Sequence, residues 1–193
     1  MADIDSRTSG VLRPLSKNNT SEVETRLRSF VSQITGIELK LVRKRWLPKP
    51  GTQPAIGIDW CAVGVTGVRT LGTPSIKGKR GDIDDPLSGD VTSESHQVLT
   101  CVATFYGPNA AENADLLRSG LLIEQNNSWF QSQGLTVVGV DENIQHLPDF
   151  QLQQWIDRYD VTFRVGRMLS RTYGVRTLVS ADFVIDTEKG KLQ

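Results

Sequence analysis

The chain of 193 residues has little of the chemistry on which enzymes and disulfide-stapled proteins depend. It contains two cysteines, Cys61 and Cys101, and two histidines, His96 and His146. Both cysteines lie inside apolar runs without the paired spacing of a zinc site, so the sequence predicts reduced core thiols. Neither histidine has a second ligand at helical metal-binding spacing, and no serine occupies a nucleophile elbow. The sequence therefore predicts no catalytic residue, no cofactor and no bound metal.

Long apolar runs and net charge are also lacking. No run approaches the ~20 residues of a membrane span, and the polar, acidic N-terminus predicts neither a signal peptide nor an anchor. The 22 Lys and Arg equal the 22 Asp and Glu, whereas a dedicated duplex-binding protein uses excess basic residues to neutralise phosphates. This composition favours a cytosolic setting and argues against membrane or specific DNA partners.

Two segments show the apolar period of amphipathic helices. The first, residues 22–35, follows a capping box formed by Ser21 and Glu24 and stops at Gly36. The second, residues 110–124, follows Asn109 as predicted N-cap and is expected to break near residues 125–127. The predicted buried positions are Val23, Leu27, Phe30, Val31 and Ile34 in the first helix and Ala110, Ala114, Leu117 and Leu121 in the second.

Alternating polarity predicts the strands. They cover residues 37–47, 55–71, 97–106, 135–140 and two long strands between residues 155 and 185. The strand at 97–106 is apolar on both faces and is expected to be central. The first of the last two strands, about fifteen residues long against a typical five or six, has to bend or pair with several neighbours. The sequence thus predicts an α+β fold: an antiparallel or mixed sheet with long strands and the two main helices packed on one face.

The predicted organisation is a mobile arm at residues 1–19, a single domain at 20–188 and a short tail at 189–193. Within the domain, residues 72–95 carry four glycines and two prolines. Ordering each residue costs about 1–2 kcal/mol without apolar burial to offset it, so we expect a disordered loop there. The loop contains a basic cluster, Lys77, Lys79 and Arg80, and an acidic cluster, Asp82, Asp84 and Asp85.

The acidic cluster, with Asp90 nearby, also suggests a cation site. A calcium loop requires glycine at its sixth position and glutamate at its twelfth. Counted from Asp82, these positions hold Leu87 and Ser93. The pattern therefore favours a solvated loop over a metal site.

The residues Arg164, Arg167 and Arg171 lie along the last strands. Arg167 falls on the otherwise apolar face, where an unpaired charge is costly. We therefore expect a carboxylate from a neighbouring strand or subunit to pair with it.

Three groups of residues carry a resemblance to a known family. They are Phe105-Tyr106-Gly107-Pro108-Asn109-Ala110 followed by Asn113, Leu117 and Gly120; Gln154-Trp155 with Arg158 and Asp160; and Leu169-Ser170-Arg171-Thr172-Tyr173. In this order and spacing, residues 36–188 resemble the neck or tail terminator proteins of tailed bacteriophages and prophages.

The resemblance implies a non-enzymatic virion protein, assembled in the bacterial cytoplasm. Its subunits would form a ring, typically of six, that ends the tail tube and joins it to the head-side connector, with DNA passing through without specific binding. The basic and acidic clusters become candidates for the channel or interface, and Arg164, Arg167 and Arg171 for a subunit-interface strand. The alternatives are a head-completion, connector or tube subunit and, in another class, a metal-dependent enzyme using the cluster from Asp82 to Asp90.

A mixed-charge channel predicts weak duplex binding by the purified protein near physiological salt, because each neutralised phosphate would strengthen DNA binding and hinder passage. Replacing Asp82, Asp84 and Asp85 by Asn should raise that binding in a fluorescence-anisotropy titration. Tight sequence-specific binding by the unaltered protein, or a metal-dependent activity lost in the triple variant, would contradict the structural assignment.

Overall fold

The computed structural model describes residues 11–15, 20–47, 51–81, 89–151 and 153–175. Within them lie three helices, α1 (Thr20–Thr35), α2 (Ala110–Leu121) and α3 (Glu124–Ser132). The strands of these residues are β1 (Val42–Lys44), β2 (Trp60–Lys79), β3 (Gly89–Tyr106), β4 (Leu135–Val140), β5 (Gln145–His146), β6 (Asp149–Gln151), β7 (Gln154–Ile156) and β8 (Arg158–Val175).

The main sheet has the order β1-β2-β3-β8-β4, with β5 also paired to β8. The short β1 runs parallel to β2, with Val42 opposite Cys61. Both β4 and β5 run antiparallel to β8, and β6 and β7 form a separate two-stranded sheet. This mixed sheet with long strands confirms the predicted α+β fold and the central position of β3.

The core lies between the helices and one face of the sheet. Side chains alternate along a strand, and the odd-numbered positions of three strands are buried: Cys61 and Val63; Leu99, Cys101, Ala103 and Phe105; and Val161, Phe163 and Val165. The predicted helical stripes meet them, with Val23, Leu27, Phe30 and Val31 from α1 and Ala110, Ala114, Leu117 and Leu121 from α2. Both cysteines are free and buried, as expected.

Close helix packing accounts for Gly120. A Cβ at this position would lie 3.1 Å from two carbons of the Ile34 side chain, so the small residue lets α2 approach α1. Gly36, at φ 74°, ends α1 as predicted.

The described chain divides into two compact units. The larger comprises Asn18–Pro74 and Glu94–Ser170 and holds the entire core. The smaller includes the described residues 11–15, 75–81, 89–93 and 171–175. Within it, the hydroxyls of Thr92 and Thr172 lie 3.2 Å apart and the Leu15 amide donates to the Thr172 carbonyl at 2.8 Å.

The structure corrects the loop predicted over residues 72–95. Residues 72–79 continue β2, residues 89–95 begin β3, and residues 82–88 lie outside the described residues. The prediction assumed that ordering requires apolar burial. In a strand pair, the backbone hydrogen bonds are satisfied by the neighbouring strand, so exposed polar side chains such as those of Thr73 and Lys79 are compatible with a sheet.

Two other predicted strands begin later than expected. Only Val42–Lys44 of residues 37–47 is strand, because a turn precedes it, in which the Leu41 amide donates to the Glu38 carbonyl at 2.7 Å. In residues 55–71, the strand begins at Trp60 after a turn that places Gly57 at φ 95°. Trp155, predicted as the start of the long strand, instead belongs to β7 and pairs with Phe150. The second of the two predicted long strands falls beyond residue 175 and lies outside the described residues.

The helix boundaries also differ. Ser21 lies inside α1, where its hydroxyl accepts a hydrogen bond from Lys44. Asn109 precedes α2 without a side-chain cap. The helix ends at Leu121, and the residues predicted to break it, 125–127, lie within α3. Asn126 is accommodated because its side chain donates to the Gly120 carbonyl at 2.8 Å, which also accepts the Ile123 amide at 3.3 Å at the end of α2.

Replacing Leu27 or Leu117 by Ala should lower the free energy of unfolding by about 2–5 kcal/mol, since both side chains are fully buried and each change leaves a cavity. Urea denaturation measures the loss. Leu122, 65% exposed at the end of α2, is the matched control, and its change to Ala should cost less than about 0.5 kcal/mol. Equal losses at all three positions would contradict this core.

Candidate protein-interaction surface

The sheet face opposite the helices gathers aromatic and charged residues at one end. Even-numbered positions of β2, β3 and β8 point away from the helices because the odd-numbered positions are buried beneath them. Where β2 and β8 begin and β3 ends, these positions carry Trp60, Tyr106 and Arg158. Residues far apart in sequence therefore meet in the larger unit.

Aromatic rings dominate this end. Trp60 and Tyr106 stack with their centroids 4.3 Å apart and their planes within 7°, and burial raises the pKa of the Tyr106 hydroxyl. On the β6-β7 hairpin, Trp155 is 72% exposed and packs on Phe150 at 5.1 Å. Trp46 is 58% exposed. Large exposed apolar side chains concentrated in one region are typical of a protein-binding surface.

The basic segment after β1 crosses the same face. A Cβ on Gly64 would lie 2.8 Å from the Cβ of Arg45 and 3.2 Å from the Trp46 ring, so glycine permits this close approach. Arg45 donates to the Thr104 hydroxyl, and its guanidinium carbon lies 5.7 Å from the centre of the Trp46 ring. The Arg45 amide also donates to the Val63 carbonyl at 2.9 Å. The segment is therefore held on the sheet by a backbone and a side-chain hydrogen bond and by the space that Gly64 leaves.

Arg158 and Asp160 form an ion pair on this face. They are two residues apart on β8 and so share a face. The guanidinium donates to both carboxylate oxygens, at 3.1 and 2.7 Å. This hydrogen bonding raises the pKa of Arg158, and the pair satisfies Asp160, which is only 6% exposed.

The turn between β3 and α2 is held by Asp59. Its carboxylate accepts hydrogen bonds from the Asn109 amide at 2.9 Å and the Asn109 side chain at 2.8 Å. Gly107 has φ 111°, and a Cβ there would lie 2.5 Å from Asp59 Oδ1. The Tyr-Gly-Pro-Asn sequence is thus a turn built around this carboxylate.

Two adjoining spaces open on this end of the sheet. The first, which we name the cationic cleft, has a volume of about 490 Å³ and is lined by Arg43, Lys44, Arg45 and Arg158. The second, the apolar cavity, has a volume of about 280 Å³ and is lined mainly by aliphatic residues, including Ile56, Ile58 and Ile156. The stacked Trp60 and Tyr106 border both spaces.

The predicted basic cluster lies elsewhere. Lys77 and Lys79 are exposed on β2 and Arg80 follows that strand, all in the smaller unit. The predicted acidic cluster, Asp82, Asp84 and Asp85, lies outside the described residues. Asp90 is half-buried at the start of β3.

The predicted interface arginines do not form one cluster. Arg164 is exposed and pairs with Asp141 at 3.2 Å. Arg167 is half-buried and donates from Nε to Gln97 Oε1 at 3.0 Å, so an amide oxygen supplies a contact where the sequence predicts a carboxylate. These two arginines lie on opposite faces of β8, and Arg171 is exposed in the smaller unit.

Titratable residues elsewhere are arranged as structural groups. His146 Nε2 lies 3.0 Å from Asp157 Oδ1, and its ring stacks on Tyr159. Burial raises the pKa of Cys101 to about 12 and that of Cys61 further. No group of three His, Cys, Asp or Glu residues that could hold a metal ion occurs within the described ranges. None of the helices in these ranges is long and apolar enough to cross a membrane.

The sequence revealed this surface only in part. The basic run Arg43-Lys44-Arg45 next to Trp46 indicates an exposed strand end, and Arg158 and Asp160 belong to the family resemblance. Nothing in the sequence singles out Asp59, since a lone aspartate before a strand is ordinary. Its role is visible only from its contacts with Asn109.

A small α+β protein with long strands and an aromatic, basic end to its sheet has the features of an assembly component. The family model described as phage neck terminator protein matches residues 21–190, and the chain belongs to this family. No curated protein gives a significant match to the chain. The protein is accordingly a structural component of the phage neck that interacts with other head or tail proteins.

Changing Gly107 to Ala should destabilise the protein more than changing Gly57 to Ala. Both glycines have positive φ, at 111° and 95°, but an added Cβ meets neighbouring atoms only at Gly107, so the difference measures the crowding against Asp59 and the Ile58 carbonyl oxygen. We expect an additional loss of about 1–3 kcal/mol in urea denaturation. In an Asp59→Ala background the excess should shrink but not vanish, because the carboxylate contact is removed while the Asp59 Cα and the Ile58 carbonyl oxygen stay within 2.7 and 2.8 Å of the added Cβ; an unchanged excess would contradict the role of the carboxylate.

Proposed function

We propose that the protein forms a homo-oligomeric ring of six copies that terminates the tail tube and joins the tail to the head. Membership of the phage neck terminator family is the observation that carries this proposal. A neck component must present separate surfaces to copies of itself, to the tube below and to the head side above. A closed ring provides all three with one kind of subunit.

The sheet supports such an assembly. Its strands β2, β3 and β8 have 20, 18 and 18 residues, far beyond the about five or six that a compact domain uses. The order of the sheet leaves β1 and β4 at its edges. Among the described residues, β1 pairs with only residues 61–63 of the 20-residue β2. A long strand edge left open is a liability in a monomer, and a neighbouring copy in a ring would cover it.

The proposal places the charged residues at the contacts between copies and at the channel. Arg164, Arg167 and Arg171 lie along β8 and contribute to the contact between copies. Lys77, Lys79 and Arg80, together with Asp82, Asp84 and Asp85 in the sequence that follows, contribute to the channel or its rim. A mixed-sign lining lets DNA pass without holding it.

The ring is tested with the purified protein and isolated tail tubes by native mass spectrometry and negative-stain electron microscopy. We expect six-copy rings, and added density at one end of each tube. Changing Arg171 to Glu should reduce the fraction of rings, because the exposed charge would be reversed in the subunit contact. Arg69→Glu, an equally exposed change on β2, is the matched control.

Thermal unfolding of both variants checks that the subunit remains folded. Bare tube ends in the presence of excess unaltered protein would contradict the proposed termination. Rings that form equally well with Arg171→Glu would remove β8 from the subunit contact.

A further inference from the structure

The cationic cleft carries positive charge that the subunit neutralises only in part. Arg158 is paired with Asp160, and Lys44 lies 3.9 Å from a Glu24 oxygen. Arg43 donates to the Thr52 carbonyl at 2.7 Å and Arg45 to the Thr104 hydroxyl. Within the described residues, the partners of Arg43 and Arg45 are thus neutral oxygens.

Two guanidinium groups without a carboxylate partner leave local positive charge that a negatively charged ligand could neutralise. Hydrogen bonds to neutral oxygens hold their orientation but leave their charge uncompensated. Both groups lie beside the Trp46 ring and the Trp60–Tyr106 stack, which exclude part of the solvent that would otherwise screen them. A carboxylate entering the cleft would therefore find preoriented donors.

The adjoining apolar cavity narrows the kind of ligand. Its wall contains Ile56, Ile58 and Ile156, and the first two are each 43% exposed. Filling this space with one large apolar side chain would remove these surfaces from water, at roughly 25 cal/mol per Å². Because Trp60 and Tyr106 border both spaces, acidic and apolar groups of one short segment could reach them together.

An acidic peptide fits these features better than a nucleic acid does. A nucleic acid would supply negative charge, but it has no aliphatic or aromatic side chain to insert among isoleucines. It binds by stacking bases on free aromatic faces, whereas Trp60 and Tyr106 already stack on each other at 4.3 Å and the Arg45 guanidinium lies over the Trp46 ring at 5.7 Å. Hydrophobic anchors within a charged rim are typical of protein–protein recognition.

We propose that the cationic cleft and the apolar cavity together bind an acidic peptide segment that carries one large apolar side chain. The proposed function supplies only the source of this segment: another protein of the phage neck or tail. The carboxylates pair with Arg43 and Arg45, and the apolar side chain enters beside Ile156.

The test uses the purified full chain and a fluorescent peptide, Gly-Asp-Asp-Phe-Asp-Asp-Gly, in anisotropy titrations. Two matched peptides replace all aspartates by asparagine or the phenylalanine by alanine. We expect each replacement to weaken binding about tenfold, because each removes one of the two recognised groups. Since the protein is unchanged in this comparison, the result does not depend on whether a variant folds.

Protein variants then locate the site. Arg43→Gln combined with Arg45→Gln should weaken binding of the acidic peptide about tenfold, whereas Arg69→Gln on β2 should leave it unchanged. Ile156→Ala should weaken binding of the phenylalanine peptide and not that of the alanine peptide. Thermal unfolding confirms that each variant is folded.

Three outcomes would overturn the inference. They are equal binding of the acidic and asparagine peptides, no binding of any peptide at millimolar concentration, and tighter binding of oligothymidylate that is lost in the double arginine variant. Tail tubes are absent from this measurement, so failure of the peptide to bind would not contradict the proposed ring. Conversely, peptide binding by a protein that neither forms rings nor caps tubes would reject the proposed function alone.

Discussion

The alternation of side chains along β2, β3 and β8 is the constraint on which the rest of the structure depends. Burial of the odd-numbered positions beneath the helices forces the even-numbered positions onto the opposite face. A shift of one residue would exchange the two sets, placing Phe105 in solvent and Tyr106 and Arg158 in the core. The hydrophobic core therefore fixes the location of the aromatic and basic surface without being part of it.

That opposite face requires its own support, because charged groups near a sheet need partners. Asp160 is satisfied by Arg158, Arg45 is held by Thr104 and Trp46, and the absence of a side chain at Gly64 lets the basic segment lie close to β2. The same contacts that satisfy these groups also orient them. The proposed binding surface is thus preformed by residues whose first role is stability, and preformation lowers the entropy lost on binding.

Much of the fold follows from local pattern. The α1 stripe from Val23 to Val31 and the central position of β3 were predicted because period and polarity are properties of neighbouring residues. The failures also have a physical cause. The strands at 72–79 and 89–95 are polar and glycine-containing, so their pairing depends on partners elsewhere in the chain. The asparagines at 126 and 127 are weak helix formers, yet hydrogen bonds with Gly120 and Val137 hold them within α3.

The sequence by itself determined the α+β class, the buried faces of the helices, the free thiols and the family, since each depends on composition, period or ordered spacing. The tertiary structure alone decided that Asp59 holds Asn109, that Trp60 stacks on Tyr106, and that Arg45 crosses β2. These pairs are separated by tens of residues in the chain. Their distances are set by strand order and register, which no local pattern specifies.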